Sequence, residues 1–575
     1  MADFDLIIRN GTLADGTGAP LREADVGVVA GRIAQVGRIS GRGEEELDAK
    51  GLLVTPGFVD IHTHYDGQAT WDSRLAPSSW HGVTTVVMGN CGVGFAPVWP
   101  HDHERLISLM EGVEDIPGAV LHEGLKWGWQ SFGEYLDALE RVPHDMDIGA
   151  QLAHGPLRVF VMGERGAALE EATADDIAQM RRLTADAMAA GALGFSTSRT
   201  ILHRTATGEP TPGLRASEDE LKAIALGMAD AGSGVFELIS DFSTPDPVSE
   251  FAMIRRLIEA SRRPLSLSLA QSSNDPNSWR GLLGLISAAA KDGLPIKAQV
   301  APRPIGLLLG LQGTINPFSA HPSYRSIHDK PLAEKLRILR DPEFKQQVLR
   351  ESAAVHDHPL AKRLMAFEHI FPLGDPPNYE PARDSSLAAE AARRGVAAQD
   401  LAYDRLLEDE GRNFLFLPFA NYTEFNLDAC AEMISHPDCI IGLADGGAHV
   451  GIICDASNAT YLLSHWGRDR SHGRLSVEYL VKRQTADTAR AVGLLDRGIL
   501  APGMKADINV IDFGRLGVRA PQMAYDLPGG GKRLLQRADG YVATIVAGSV
   551  TYRNGEATGA LPGRLVRGPK TAGTQ

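Results

Sequence analysis

The chain has 575 residues, of which 43% are hydrophobic, so it is long enough to bury more than one core. Its 57 basic residues are outnumbered by 72 acidic ones, and the formal charge of −15 disfavours nucleic acid or an anionic membrane as the main partner. No apolar stretch approaches the roughly 20 residues of a membrane span, and the first residues lack the basic and apolar regions of a signal peptide. We therefore expect a small-molecule partner and a cytoplasmic location, while the oligomeric state stays open.

Both ends of the chain contain short β-like runs separated by turns, a pattern typical of antiparallel sheet. These runs lie at residues 5–8, 26–29 and 51–54 and again at 506–511, 543–548 and 550–555. Two β-rich ends around a different middle predict one small β-sandwich domain, assembled from residues 1–57 and 500–565.

The middle of the chain, residues 58–499, alternates strand-like apolar runs with amphipathic helical stretches. Helical periodicity at 172–190, 217–231 and 247–261 predicts repeated βα units. Many such units favour a closed (β/α)₈ TIM-like barrel, which belongs to the α/β class. Residues from about 300 to 425 are richer in proline and charge, and we expect them to form an insertion over the barrel mouth.

Two histidines follow the first apolar run of this middle region. His62 and His64 are two residues apart, so on a strand their side chains point to the same side and can hold one divalent cation. A second strand-like run, 84–88, leads to Cys91, whose thiolate would be a soft metal ligand. Burial as a small apolar side chain is the alternative for this cysteine.

Asp445 follows a late apolar run and precedes two glycines, so it is expected at the carboxyl end of a strand, where barrel enzymes assemble their sites. Such an aspartate can bind a metal and accept a proton from water, although a turn residue would look the same. His154 is a candidate oxyanion donor, and Arg199 or Arg204 could hold a substrate carboxylate. His449 is a further candidate for substrate binding, and a purely structural role stays open for each of these four.

In this order, the motifs resemble those of the amidohydrolase superfamily and, within it, the D-aminoacylase (N-acyl-D-amino-acid deacylase) family. The stretches that carry the resemblance are spread over nearly the whole chain. They are Pro56-Gly57-Phe58-Val59-Asp60-Ile61-His62-Thr63-His64, Gly82-Val83-Thr84-Thr85, Gly89-Asn90-Cys91-Gly92, Ala444-Asp445-Gly446 and Gly503-Met504-Lys505-Ala506-Asp507-Ile508. The resemblance implies a metal-bearing (β/α)₈ barrel with a small β-sandwich, and zinc-dependent hydrolysis of amide bonds in N-acylated D-amino acids.

By the same resemblance, His62 and His64 are the metal-binding pair of the first barrel strand, Cys91 is a thiolate ligand, and Asp445 is the general base and a further ligand. The family carries two more histidines on two later strands, but the corresponding stretches 234–241 and 265–271 contain none.

Three outcomes are open for the altered site. One ion, Zn²⁺ or another divalent metal, could be held by the four residues just assigned. The hydrolytic centre could also be lost. A third outcome is that oxygen ligands replace the missing histidines, from Glu237, Asp241 or Gln271.

The sequence therefore predicts a metal-dependent amidohydrolase that cleaves an amide bond of a small N-acyl compound, with an N-acyl-D-amino acid as the substrate that the resemblance implies. The cation would activate water, and Asp445 would accept its proton and return it to the leaving amine. The alternatives are hydrolysis of a cyclic amide or another carbon–nitrogen bond, and a barrel that binds a partner without catalysis.

Overall fold

The computed structural model describes residues 2–242, 246–351 and 359–572, so residues 352–358 of the predicted insertion lie outside it. A parallel sheet of eight strands forms its centre, and within it each strand pairs with the next of the eight in chain order. We count these barrel strands from one to eight: Phe58–Asp60, Val83–Met88, Asp147–Ala153, Gly194–Arg199, Val235–Ser240, Leu265–Ser268, Ile296–Val300 and Cys439–Ile441.

The sheet closes into a barrel through the backbone just beyond its first and last strands. The Asp445 N–H donates to the His62 carbonyl at 3.0 Å, and the His64 N–H donates to the Gly446 carbonyl at 2.8 Å. Thr63 and Gly446 form the parallel bridge between the two segments. The predicted TIM-like barrel is thus confirmed, and its closure lies at three residues that the sequence marked as functional.

Helices cover the outside of the barrel, as repeated βα units require. Three predicted helices lie within two residues of their expected bounds, at Ala174–Ala190, Glu218–Asp230 and Pro247–Ser261. The side chains of Thr173, Ser217 and Asp246 cap these helices, because each accepts a hydrogen bond from a backbone N–H of the first turn. The other α-helices of the described residues are His103–Glu114, Gly118–Gly124, Phe132–Glu140, His154–Met162, Glu164–Ala167, Ser278–Lys291, Pro322–Arg325, Leu332–Leu339, Pro342–Glu351, Pro359–Leu364, Leu387–Arg394, Ala398–Gly411, Asp428–Ser435, Asn458–Ser464, Val477–Gln484 and Ala486–Ala491.

Strands from both ends of the chain form one nine-stranded sheet. The two halves meet where Leu53–Pro56 pairs antiparallel with Ile508–Ile511. Buried aliphatic side chains such as Ile8, Val26 and Ile545 form the core of this domain. Its remaining strands are Phe4–Leu13, Arg22–Val29, Arg32–Gly37, Gly43–Asp48, Tyr541–Val546, Ser549–Arg553 and Glu556–Ala557.

The connection between the seventh and eighth barrel strands contains a small antiparallel sheet of its own, with strands Ile305–Leu309, Phe371–Pro372 and Leu415–Ala420. A separate apolar cluster joins Phe318 and Tyr403 to Leu309, Leu415 and Leu417 of these strands. Among the described residues, no helix is long and apolar enough to cross a membrane.

A buried ion network joins the sandwich to the barrel. Asp147, at the start of the third barrel strand, accepts hydrogen bonds from Arg497 Nη1 and Lys505 Nζ, each at 2.7 Å. Lys505 also donates to Asp507 at 3.1 Å, directly before the sandwich strand Ile508–Ile511. Burial opposes the charge on Asp147, but the two cations outweigh it and lower its pKa to about 2.

Replacing Asp147 by asparagine should lower the free energy of unfolding by about 3–5 kcal/mol, because two buried cations lose a shared carboxylate. Folding lowers the pKa of Asp147 from 3.8 to about 2, so its stabilisation is present above about pH 4 and is lost as the pH falls towards 2. Urea unfolding of wild type and Asp147→Asn at pH 7 and pH 3 measures both effects. The control is Asp230→Asn, whose pair with Arg181 is exposed, and an equally small change in both variants would contradict the account.

Candidate metal centre

Four predicted site residues converge where the barrel closes. His62 Nε2 lies 3.4 Å from Cys91 Sγ and 3.4 Å from Asp445 Oδ1, and His64 Nε2 lies 3.5 Å from the same Asp445 oxygen. The ligand atoms of His62, His64 and Cys91 all lie within 4.8 Å of one another. In a tetrahedral zinc site with bonds of about 2.1 Å, neighbouring ligand atoms are about 3.4 Å apart. The donor types and their spacing therefore fit a cation of the size of Zn²⁺.

The second barrel strand ends in a tight turn that carries Cys91. Cys91 adopts φ +55°, which is uncommon for a residue with a side chain, and its N–H donates to Glu237 Oε2 at 3.1 Å. At Gly89 a Cβ would lie 2.4 Å from the carbonyl oxygen of Gln151, so only glycine fits there. The Asn90 amide donates to the carbonyls of Val87, in the second strand, and of Thr63, between the two histidines, which ties the turn to the histidine pair.

Polar side chains from other elements orient the two imidazoles. The Gln299 amide donates to Ser266 Oγ through Nε2, which leaves its Oε1 to accept from His62 Nδ1 at 2.8 Å. This contact puts the proton on Nδ1 and leaves the Nε2 lone pair for a cation. On the other imidazole, His64 Nδ1 faces Glu114 Oε1 at 3.2 Å, without hydrogen-bond geometry.

Glu114 is a site residue that the sequence reasoning missed. It ends the helix His103–Glu114, which was not among the predicted elements. Its backbone carbonyl accepts the N–H of His449, and its Oε2 lies 3.7 Å from His449 Nε2. His449, a predicted substrate residue, is thus held beside the carboxylate that faces His64. The local signal for Glu114 was weak, because a glutamate at the end of an amphipathic helix is common on protein surfaces.

Burial raises the pKa of acidic side chains around the four converging residues. It raises the pKa of Glu237 and of Asp66 to about 7 and that of Glu114 well above its usual value. Burial also raises the pKa of the Cys91 thiol, with Glu237 and Glu114 adding to the effect. A bound divalent cation would favour the ionised form of all these groups. So many buried acids in one place are consistent with a centre built to hold positive charge.

The pKa values of Asp445 and His64 are lowered instead. Burial alone would raise the pKa of Asp445, but His64 and His62, whose Nε2 atoms lie 3.5 and 3.4 Å from its Oδ1, hold that pKa well below its usual range. Burial lowers the pKa of His64 to about 4. Near pH 7 the site therefore offers an ionised carboxylate beside a neutral imidazole.

His154, the predicted oxyanion donor, is engaged within the barrel wall. Its ring nitrogens lie 2.8 Å from Thr197 Oγ1 and 2.9 Å from Glu220 Oε1. Arg158 donates to the same Glu220 oxygen, and His154 is fully buried. Neither ring nitrogen of His154 is left to contact a substrate in this arrangement.

The two predicted arginines also have protein partners. Arg199 donates through Nε to Glu250 at 2.8 Å and through Nη1 to the Ala216 carbonyl at 2.9 Å. Arg204 is exposed and donates to the Gly208 carbonyl within its own loop. The structure therefore does not bring either guanidinium into contact with the four converging residues.

His203, the neighbour of Arg204, contacts the end of the fourth barrel strand. Its Nδ1 lies 3.0 Å from Ser198 Oγ at the end of the fourth strand. Burial lowers its pKa to about 3, and the nearby His449 and His64 add to this effect. Arginine is the usual partner of a substrate carboxylate, so the sequence points to Arg204 rather than to this histidine.

Comparisons with known proteins show which family, sequences and solved structures this chain resembles. A family model described as the amidohydrolase family matches residues 45–552. An uncharacterized protein of Mycobacterium bovis is 28% identical over 599 aligned residues, 96% of this chain and 92% of its own length. The D-aminoacylase of Alcaligenes xylosoxydans xylosoxydans is 40% identical over 195 residues, 34% of this chain and 37% of its own. A crystal structure of a D-aminoacylase is 25% identical with a TM-score of 0.64, and the match covers 98% of this chain and 100% of that one.

If Cys91 is a ligand, the protein loaded with Co²⁺ should show a near-ultraviolet charge-transfer band from thiolate to cobalt, because the buried thiol ionises only when a cation binds. Cys91→Ser should lose this band and bind the ion at least about tenfold more weakly, as even outer partners of a metal site cost that much. Cys430→Ser is the matched control, because Cys430 is also a free buried cysteine. A band of unchanged intensity in Cys91→Ser would exclude this ligand.

Proposed function

The chain belongs to the amidohydrolase family, and from that premise we propose that it hydrolyses a carbon–nitrogen bond in a small N-acyl compound. The observation that carries the proposal is the set of 3.4–3.5 Å contacts among His62, His64, Cys91 and Asp445 at the point where the barrel closes. These residues follow the carboxyl ends of their strands, which is where barrel enzymes carry out their chemistry.

An N-acyl-D-amino acid is the substrate that we favour. The reason is the similarity in sequence to the D-aminoacylase of Alcaligenes, over about a third of the chain, together with the similarity in fold to a D-aminoacylase over nearly its full length. Because one fold hosts many substrates, this choice depends on the relatives rather than on the barrel.

His62, His64, Cys91 and Asp445 would hold one divalent ion, and their mixed nitrogen, sulfur and oxygen donors suit Zn²⁺. When bound, such an ion polarises a carbonyl group and lowers the pKa of water. The Asp445 side chain is 18% exposed, against 1% for each histidine, so of these three groups it is the one that incoming substrate and water reach.

The Asp445 carboxylate would carry the proton transfer. Because Asp445 faces both imidazoles and is the most exposed of these groups, a carboxylate oxygen could accept a proton from the attacking water. The same proton would then pass to the leaving nitrogen, which departs as a neutral amine. His449 is the predicted substrate residue that the geometry supports best, because its side chain is 23% exposed and its Nε2 faces Glu114.

The substrate assignment is tested with metal-loaded protein and a panel of N-acyl-D-amino acids, their L enantiomers and cyclic amides. We expect the highest kcat/KM for a D compound. A clear preference for cyclic amides would move the assignment to another amidohydrolase activity. If no member of the panel is hydrolysed by protein that holds its ion, the proposed reaction is wrong.

Asp445→Asn should lower kcat by about 10²- to 10⁴-fold, the usual contribution of a positioned general base. Metal should remain bound in part through the histidines and the cysteine, so elemental analysis of the variant accompanies the kinetics. Asp230→Asn, at an exposed aspartate paired with Arg181, is the control and should keep full activity. Full turnover by Asp445→Asn would contradict the proposed role.

A further inference from the structure

We propose that Glu237 is a direct ligand of the cation, and that it completes a centre for a single ion in place of the histidine pair that the family resemblance implies. The inference rests on the proposed function, since it requires an ion at His62, His64, Cys91 and Asp445. It goes further by assigning a fifth ligand and a stoichiometry of one ion per chain.

Glu237 lies on the fifth barrel strand, level with two serines whose hydroxyl groups bond to neighbours of the proposed ligands. Its register partners are Ser196 on the fourth strand and Ser266 on the sixth. Ser196 Oγ accepts the N–H of Gly92, next to Cys91, and Ser266 Oγ accepts from Gln299, which holds His62. The strand alternation therefore directs Glu237 towards the same centre.

The two carboxylate oxygens of Glu237 differ in their surroundings. Oε2 accepts the Cys91 N–H at 3.1 Å, so the carboxylate reaches the thiol-bearing turn. Glu237 is only 1% exposed, so Oε1 is shielded from water, and it makes no hydrogen bond with the described residues. A buried carboxylate oxygen without a partner is costly, and a cation would remove that cost.

The other two candidates for replacement ligands are engaged elsewhere. Asp241 is exposed and accepts the Ile201 N–H at 2.8 Å. Gln271 accepts the Thr423 N–H through Oε1 at 3.2 Å, and its Nε2 donates to the Pro276 carbonyl.

The sixth strand thus offers the centre no replacement for its histidine. Its inward residue level with Glu237 is Ser266, and serine is not among the usual zinc ligands. Glu237 thus replaces one of the two histidines that the resemblance implies, and no residue of the sixth strand replaces the other. A second ion would therefore have too few ligands. An additional oxygen donor also shifts the preference of the centre towards harder ions such as Mn²⁺.

The test compares wild type, Glu237→Gln, Glu237→His and the control Asp241→Asn. Metal content is measured by elemental analysis, affinity by competition with a chelator, and ligand geometry by the visible spectrum of bound Co²⁺. Glutamine can still accept the Cys91 N–H, so a role limited to positioning Cys91 would survive Glu237→Gln. A ligand role would not survive, because the amide oxygen is a far weaker donor to the ion.

Wild type and Asp241→Asn should bind one ion per chain. Glu237→Gln should bind it at least about tenfold more weakly with an altered Co²⁺ spectrum, and Glu237→His should recover affinity and favour Zn²⁺ over Mn²⁺ more than wild type does. Wild-type affinity and spectrum in Glu237→Gln, or two ions in the wild type, would overturn the inference alone. A wild type that binds no ion would overturn the proposed function and, with it, this inference.

Discussion

Two backbone hydrogen bonds, from Asp445 N–H to the His62 carbonyl and from His64 N–H to the Gly446 carbonyl, close the barrel and set the proposed metal ligands side by side. Folding and chemistry therefore depend on the same contact. If the first and last strands do not meet, the core is open and Asp445 does not face the imidazoles. Because the first and last strands meet, residues almost 400 positions apart in the chain lie side by side in one site.

The closed barrel alone would not orient the donors. Gln299 fixes the ring of His62, and the amide of Asn90 ties the Cys91 turn to the first strand. Cys91 and Asp445 both adopt positive φ angles, +55° and +48°, which are unfavourable for residues with a side chain. Such backbone strain is typical of functional sites, where the surrounding structure holds a geometry that a free chain would avoid. Buried acids add a further cost, which the proposed cation would offset.

The parts of this arrangement that follow local rules were predictable from the sequence. Alternation and helical periodicity predicted the barrel and the sandwich formed from both ends, and the His62 and His64 spacing predicted a pair on one side of a strand. The contacts of Gln299 and Glu114 were not predictable, because they join residues far apart in the chain. His154 and Arg199 were predicted to contact substrate, but the structure pairs them with other protein groups. A polar residue that follows a strand can face the mouth of the barrel or bond to neighbouring side chains, and the sequence does not distinguish the two. Choosing Glu237 over Gln271 required the register of the strands, which no single sequence supplies.

We propose that His62, His64, Cys91, Asp445 and Glu237 hold one divalent ion at the closure of the barrel. Anomalous diffraction from crystals of the zinc-loaded protein, collected on both sides of the zinc absorption edge, would locate that ion. We expect one anomalous peak per chain, within bonding distance of donor atoms from all five residues. Two peaks in the barrel, or a single peak bonded to neither Cys91 nor Glu237, would contradict it.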